Sequence, residues 1–284
     1  MHKRQSKLEK AATYVALTLV TLFFLLPLFW ILRTSMITKV EAYKMPPNWM
    51  AAWTFDNYIA IFTDNPFGKY FMNSFFIALA STVVAVMLGA MSGYWICRMC
   101  KRKDQMKLTI LVTQMIPPVV MVIPLSLIVK NMGLDDSYFA LIISYLSFNL
   151  PYVIWMLLSH FESIPKELDD ASAVDGCSRV QAYFRVVLPL VMPGIMATAV
   201  YSFIVSWNEF MFALNMAGMK TRTLPVAIAA LDTQQGVMIA ELCASTIVAI
   251  LPVIFLTVFI KHTGIFYHTK SVKHVVPREF PRKK

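Results

Sequence analysis

The chain of 284 residues is 58% apolar and only 15% charged, with a mean hydropathy of +0.61. Soluble domains are nearer half apolar and a quarter charged, so the composition excludes an ordinary soluble enzyme and points to a polytopic membrane protein. The formal charge of +10, from 26 Lys and Arg against 16 Asp and Glu, lies mostly between and beyond the apolar runs, a placement that suits anionic lipid and membrane topology and argues against nucleic acid.

A spanning helix needs roughly 20 mostly apolar residues. Six segments qualify, at residues 11–32, 71–97, 108–129, 138–159, 188–207 and 242–260, and none contains Asp, Glu, Lys or Arg. The fold expected is all-α, a single membrane domain over residues 1–284 with six transmembrane helices. No small-residue cleavage site follows the first run, so it reads as a retained anchor. Nineteen of the 26 basic residues fall in the amino-terminal stretch, the second and fourth connections and the carboxyl tail at 261–284; the other connections carry seven. The excess places both termini, and connections two and four, in the cytoplasm.

The first outer connection, residues 33–70, carries Pro46, Pro47, Trp49 and Trp53, a composition suited to an interfacial belt or to an extracytoplasmic partner. In the second span Gly89 and Gly93 allow close helix packing. Gln114 in the third span and Asn149 in the fourth are amides at membrane depth, each near a proline. Hydrocarbon penalises both the amides and the carbonyls that prolines leave unpaired, so one cavity serving all of them is expected, either lining a path or bracing helices. Trp207, Asn208 and Glu209 fall at the outer end of the fifth span, where they are expected to shape that path's mouth; Glu241 holds the same position on the sixth.

Residues 163–189 form a cytoplasmic segment with two helical signals. Pro165 suits a first turn and Gly176 a left-handed stop, which predicts a helix of about three turns. Ser178 with Gln181 matches a capping box, and Val180, Tyr183, Phe184 and Val187 recur at helical spacing. Asp170, Ala171 and Ser172 on the first helix include small side chains that permit close approach of another backbone. Aligned on Gly176, the segment resembles the EAA loop of ABC importer permeases: Asp170-Ala171-Ser172 in place of Glu-Ala-Ala, then Gly176, then Val186, Leu188 and Pro189 in place of Ile-x-Leu-Pro. Thr54 to Tyr58, Asn73-Ser74, Tyr94 with Arg98, Met115 to Pro118 and Trp207 to Phe210 extend the resemblance to the carbohydrate-type branch, similar to the smaller permease of maltose-type importers.

The resemblance implies a subunit of the bacterial cytoplasmic (inner) membrane. It implies as partners a second homologous permease, two ATPase subunits that bind ATP and Mg, an extracytoplasmic solute-binding protein and membrane lipid, and it implies coupling to the ATPase through the EAA segment. The residues themselves offer no catalytic set, no phosphate-cradling Gly-rich motif with Lys, and no metal site: Cys97 and Cys100 lack a second ligand pair, and the histidines at 262, 268 and 274 do not share a helix face. The chain is therefore expected to hold no cofactor and to be no enzyme. An ion-coupled secondary carrier is the alternative, but it needs an intramembrane acid or base that these spans lack.

Overall fold

A computed structural model describes residues 7–233 and 236–262; the charge clusters at the two extremities, 1–6 and 263–284, lie outside them. In chain order the helices begin with α1 (Lys7–Ser35), α2 (Lys39–Ala42), α3 (Asp56–Thr63) and α4 (Phe67–Met99). They continue with α5 (Lys103–Gln114), α6 (Pro118–Asn131), α7 (Tyr138–Glu162), α8 (Glu167–Val174) and α9 (Arg179–Ala182). A π-helical stretch, Tyr183–Val187, leads into α10 (Leu188–Trp207), followed by α11 (Met211–Met216), α12 (Leu224–Ala229) and α13 (Ile239–His262). A two-stranded antiparallel ribbon, β1 (Asp232–Thr233) and β2 (Gly236–Val237), precedes α13.

Among the described residues, five helical stretches are long and apolar enough to cross a membrane, and α5 with α6 makes a sixth as one bent pair. The third span differs from the single helix expected over 108–129, because its halves meet at 82°. The cause is Pro117-Pro118: neither residue donates an N–H, and the residue before a proline is driven out of the α region, so the chain turns at Met115 to Pro117 and restarts with Pro118 at a first helical position. The fifth span also starts earlier than residue 188, since α9, the π turn and α10 run on continuously from Arg179 to Trp207.

The chain divides into two compact units, Met1–Gly68 with Ala227–Leu251 and Lys69–Val226 with Pro252–Lys284. All three boundaries fall inside continuous helices, in α4, α12 and α13. In the first unit, Asn57 is buried and donates to the carbonyls of Ser35 (2.9 Å) and Ile37 (2.7 Å), fastening α3 to the end of α1. Arg33 lies over the rings of Trp30 and Trp49 and bonds the Asn48 carbonyl. Glu241 is buried and paired with Lys39 at 2.5 Å.

The second unit has two apolar cores. Around one, Tyr94, Leu157, Phe161, Tyr183 and Val187 join α4, α7 and the π turn; around the other, Ile77, Val122, Tyr145 and Phe212 join α4, α6, α7 and α11. Gly89 is required by closeness, since a Cβ there would lie 2.6 Å from Val153 Cγ1 on α7. Asp136, at φ 52°, organises the segment after α11. It accepts from the backbone N–H of Gly218 (2.9 Å), Lys220 (3.0 Å) and Thr221 (2.9 Å) and from Thr221 Oγ1 (2.7 Å).

Burial opposes the Asp136 charge, but the bonds from Thr221, Lys220 and Gly218 outweigh it and hold the carboxyl below its ordinary value. A depressed folded pKa gives stability that is present above the unfolded value and lost as pH falls through the folded one. Asp136→Ala is therefore expected to cost about 2–3 kcal/mol at neutral pH, with the wild-type advantage closing below about pH 4. Thermal unfolding of both proteins in detergent across pH 3 to 8 checks this.

Candidate functional site

The segment between α7 and α10 folds as a corner. Its first helix, α8, is two turns rather than three, because Leu168 and Asp169 donate back to Pro165 and Lys166 in a tighter opening turn before the α-helix is established. It ends in a paired motif: Cys177 N donates to Ser172 O (2.9 Å) and Gly176 N to Ala173 O (3.1 Å), with Gly176 at φ +83°. These are the two bonds of a Schellman stop, which needs a left-handed residue at this position. The next helix opens on the reciprocal Ser178–Gln181 capping box, with Ser178 N to Gln181 Oε1 at 2.8 Å. The π turn follows, closed by Leu188 N on Tyr183 O. It widens the helix directly before Pro189, whose ring would otherwise crowd the carbonyl four residues back.

Asp170, Ala171 and Gly176 are exposed on the corner, while Ser172 is turned inward, its hydroxyl donating to Asp169 O (2.7 Å). The small side chains exposed on this helix are therefore Ala171 and Ala173, not Ser172. Of the apolar stripe, Tyr183 and Val187 are buried in the chain's own core, and Val180 and Phe184 stand 66% and 58% exposed. Val186 and Leu188 are half-buried, and Pro189 is exposed at the first turn of α10.

Asp169, one residue before the motif positions Asp170 to Ser172, is a functional residue that the motif does not mark. Its carboxylate Oδ2 lies 2.7 Å from Arg98 Nε, an ion pair off the line of a hydrogen bond, and Oδ1 accepts from Tyr94 OH (2.8 Å). Arg98 NH2 also donates to Ile164 O (2.9 Å). Arg98, Tyr94 and Asp169 thus join the end of α4 to α8 at the base of the corner. Spacing held the signal: Asp169 is three residues before Ser172, so an inward Ser172 carries Asp169 onto the same helix face.

Gln114, Pro118, Asn149 and Pro151 line one cavity of about 210 Å³ at the α5–α6 break. Asn149 is 1% exposed; its Nδ2 donates to Ser202 Oγ (2.7 Å) and Ser206 Oγ (3.1 Å) on α10, and its Oδ1 has no partner. Gln114 Nε2 is likewise buried and unpaired. No charged side chain lines this cavity.

Trp207, Asn208 and Glu209 are not brought to that cavity. Trp207 is buried, with its ring 5.3 Å from Phe71 and 5.8 Å from Phe203. Asn208 donates to Ile204 O (2.8 Å) and is exposed. Glu209 receives the N–H groups of Phe212 (2.8 Å) and Ala213 (3.1 Å), capping α11, and bonds Tyr145. Burial pushes its carboxyl above the ordinary carboxylate value, against the pull of these bonds.

The family described as binding-protein-dependent transport system inner membrane component matches residues 85–263. A sulfoquinovosyl glycerol transport system permease protein of Agrobacterium fabrum is 33% identical over 252 residues, covering 88% of this chain and 88% of its own length. A trehalose transport system permease protein of Mycobacterium tuberculosis is 36% identical over 259 residues, covering 88% of this chain and 93% of its own length. Among solved structures, a chain of a bacterial ABC transporter involved in the import of the acidic polysaccharide alginate superposes with a TM-score of 0.74 over 92% of this chain and 98% of that one. At 19% identity, that likeness is one of fold.

Proposed function

This chain belongs to the family of binding-protein-dependent transport system inner membrane components, and on that premise we propose that it imports a sugar or oligosaccharide with ATP hydrolysed on separate subunits. It is a polytopic membrane permease of an ABC importer. The partners proposed are a second homologous permease, two ATPase subunits carrying ATP and Mg, and an extracytoplasmic solute-binding protein, all at a bacterial cytoplasmic (inner) membrane. Both termini are assigned to the cytoplasm from the distribution of Lys and Arg. The apolar residues that α1 leaves exposed from Tyr14 to Leu32 offer lipid or the second permease its contact surface.

The observation that carries the reading is the corner of α8 and α9. It presents Ala171, Ala173, Val174 and Val180 outward and is anchored at its base to α4 through Arg98 and Asp169. An exposed apolar knob on a fixed mount is suited to docking and to passing on a displacement. ATP-driven closure of the ATPase pair would push the corner, α8 would carry α4, and the membrane cavity would open to the other side; hydrolysis resets it. The uncharged cavity and the relative named for trehalose transport support a neutral, hydroxyl-rich solute.

Purification of the tagged chain from its host is expected to bring an ATPase and a second permease. In proteoliposomes, uptake of a labelled disaccharide should need ATP on the corner side and binding protein on the other. Uptake driven by a proton or sodium gradient without ATP would establish the secondary carrier instead.

A further inference from the structure

We propose that α3 is an interfacial helix, lying in the lipid headgroup region at the Ser35 end of α1 with its face of Phe55, Ile59 and Phe62 turned toward the acyl chains. The inference concerns how this chain is seated in the bilayer and is independent of which solute the importer carries.

The residues of α3 fall in three arcs. Asn57 and Ile61 are buried, Asp56 and Asp64 are exposed and charged, and Phe55, Ile59 and Phe62, spaced four and three apart, are each more than half exposed. The loop before α3 adds Met45, Trp49 and Met50, also exposed. These six side chains have one hydrogen-bond donor among them, the Trp49 indole N–H. A specific protein interface carries about one hydrogen bond per 100–200 Å². A lipid surface needs none, and a helix with one apolar and one polar face is what the boundary of headgroups and acyl chains takes up.

Depth follows from α1. Its apolar run at residues 11–32 is bracketed by Lys10 and Arg33 and is about 33 Å long at 1.5 Å per residue, which matches a hydrocarbon core of about 30 Å. Trp30, in the last turn of that run, is therefore at the hydrocarbon edge. Trp49 packs edge-on against it, with centroids 5.6 Å apart and planes at 71°. The exposed surface of the loop thus continues that of α1, whose most apolar stretch has no buried residue.

The helix itself is held just past this edge. Thr54 N donates to Met36 O (2.8 Å), and the hydroxyls of Tyr58 and Ser35 are 2.7 Å apart. With the Asn57 bonds to Ser35 and Ile37, these fix α3 at the level of residues 35–37. Interfacial helices bury their apolar face about 5–10 Å into the headgroup boundary, so that level suits one. Residues 33–64 hold three basic and three acidic side chains, which leaves no net charge to select anionic lipid. Burial of apolar surface is the whole attraction.

The test puts a benzoylphenylalanine photoprobe in place of Ile59, Phe62 or Asp64 in the whole importer, with its binding protein present, in vesicles of phosphatidylethanolamine and phosphatidylglycerol. Illumination should give phospholipid adducts at 59 and 62 and about tenfold fewer at 64, the partition of one large apolar side chain between lipid and water. The yields should persist in vesicles of phosphatidylcholine alone. Ile59→Asp with Phe62→Asp should keep wild-type affinity for the binding protein. Adducts at 59 or 62 to the binding protein or to a second permease, or equal lipid yields at 59 and 64, would overturn the assignment. Lipid adducts that vanish without phosphatidylglycerol would overturn it too, in favour of a charge-selected site. None of these results bears on whether the solute is a sugar.

Discussion

Replacing Asp169 by alanine is expected to lower solute uptake per assembled complex about tenfold or more while the complex goes on hydrolysing ATP. The side chains of Arg98 and Asp169 are 6% and 18% exposed, and removing the carboxylate leaves the guanidinium buried with the Ile164 carbonyl and the weakly accepting Cys97 Sγ but no counter-charge. Stranding one partner of a buried pair costs about 2–4 kcal/mol once the residual exposure of Asp169 is allowed for. That loss falls on the joint between α8 and α4 rather than on the spans, whose apolar cores are untouched. The corner would still meet an ATPase, but its displacement would no longer reach α4.

The informative readout is therefore solute moved per ATP hydrolysed. A merely destabilised protein would lose assembled complex and keep this ratio. Exchanging the two residues, with Arg98→Asp and Asp169→Arg together, should restore part of what either change alone removes, and Tyr94→Phe should show a smaller loss of the same kind. If Asp169→Ala transported at the wild-type ratio, the joint would carry no motion.

The membrane spans were legible in the sequence because hydrocarbon admits so few residue types that composition alone marks them. Hydropathy is blind to direction, however, and a window over 108–129 cannot register that Pro117 and Pro118 turn the chain by 82°. Those prolines and Pro151 leave carbonyls unpaired, and that requirement predicts the shared cavity that Gln114 and Asn149 line. Asp169 and Asp170 are neighbours of identical chemistry, and only the phase of a two-turn helix decides which one faces inward. The bonds of Asp136 were illegible for another reason: its partners lie more than 80 residues away at Gly218 to Thr221. Glu209 was assigned to the path's mouth from its place at a span end, where its use as a cap for α11 depends on a short helix with no periodic signal of its own.

Gly176 supports the second large effect. Gly176→Leu is expected to abolish most transport while membrane insertion and chain abundance persist, and Gly176→Asn to retain most of it. A Cβ at this position meets nothing within 4 Å, so bulk is not the obstacle; the obstacle is φ +83°, which a leucine adopts at a cost of about 1–2 kcal/mol. Asparagine tolerates the left-handed region far better, which separates backbone strain from the loss of a bare surface. The strain would be relieved by giving up the bonds from Cys177 to Ser172 and from Gly176 to Ala173, and with them the angle between α8 and α9. Because Ser178 and Gln181 fix the start of α9 independently, both helices would survive with the corner between them wrong. Uptake and ATPase association measured for Leu, Asn and Ala at 176 should then rank by left-handed propensity rather than by size; a ranking by size would move the assignment from the chain's own corner to steric docking on its partner.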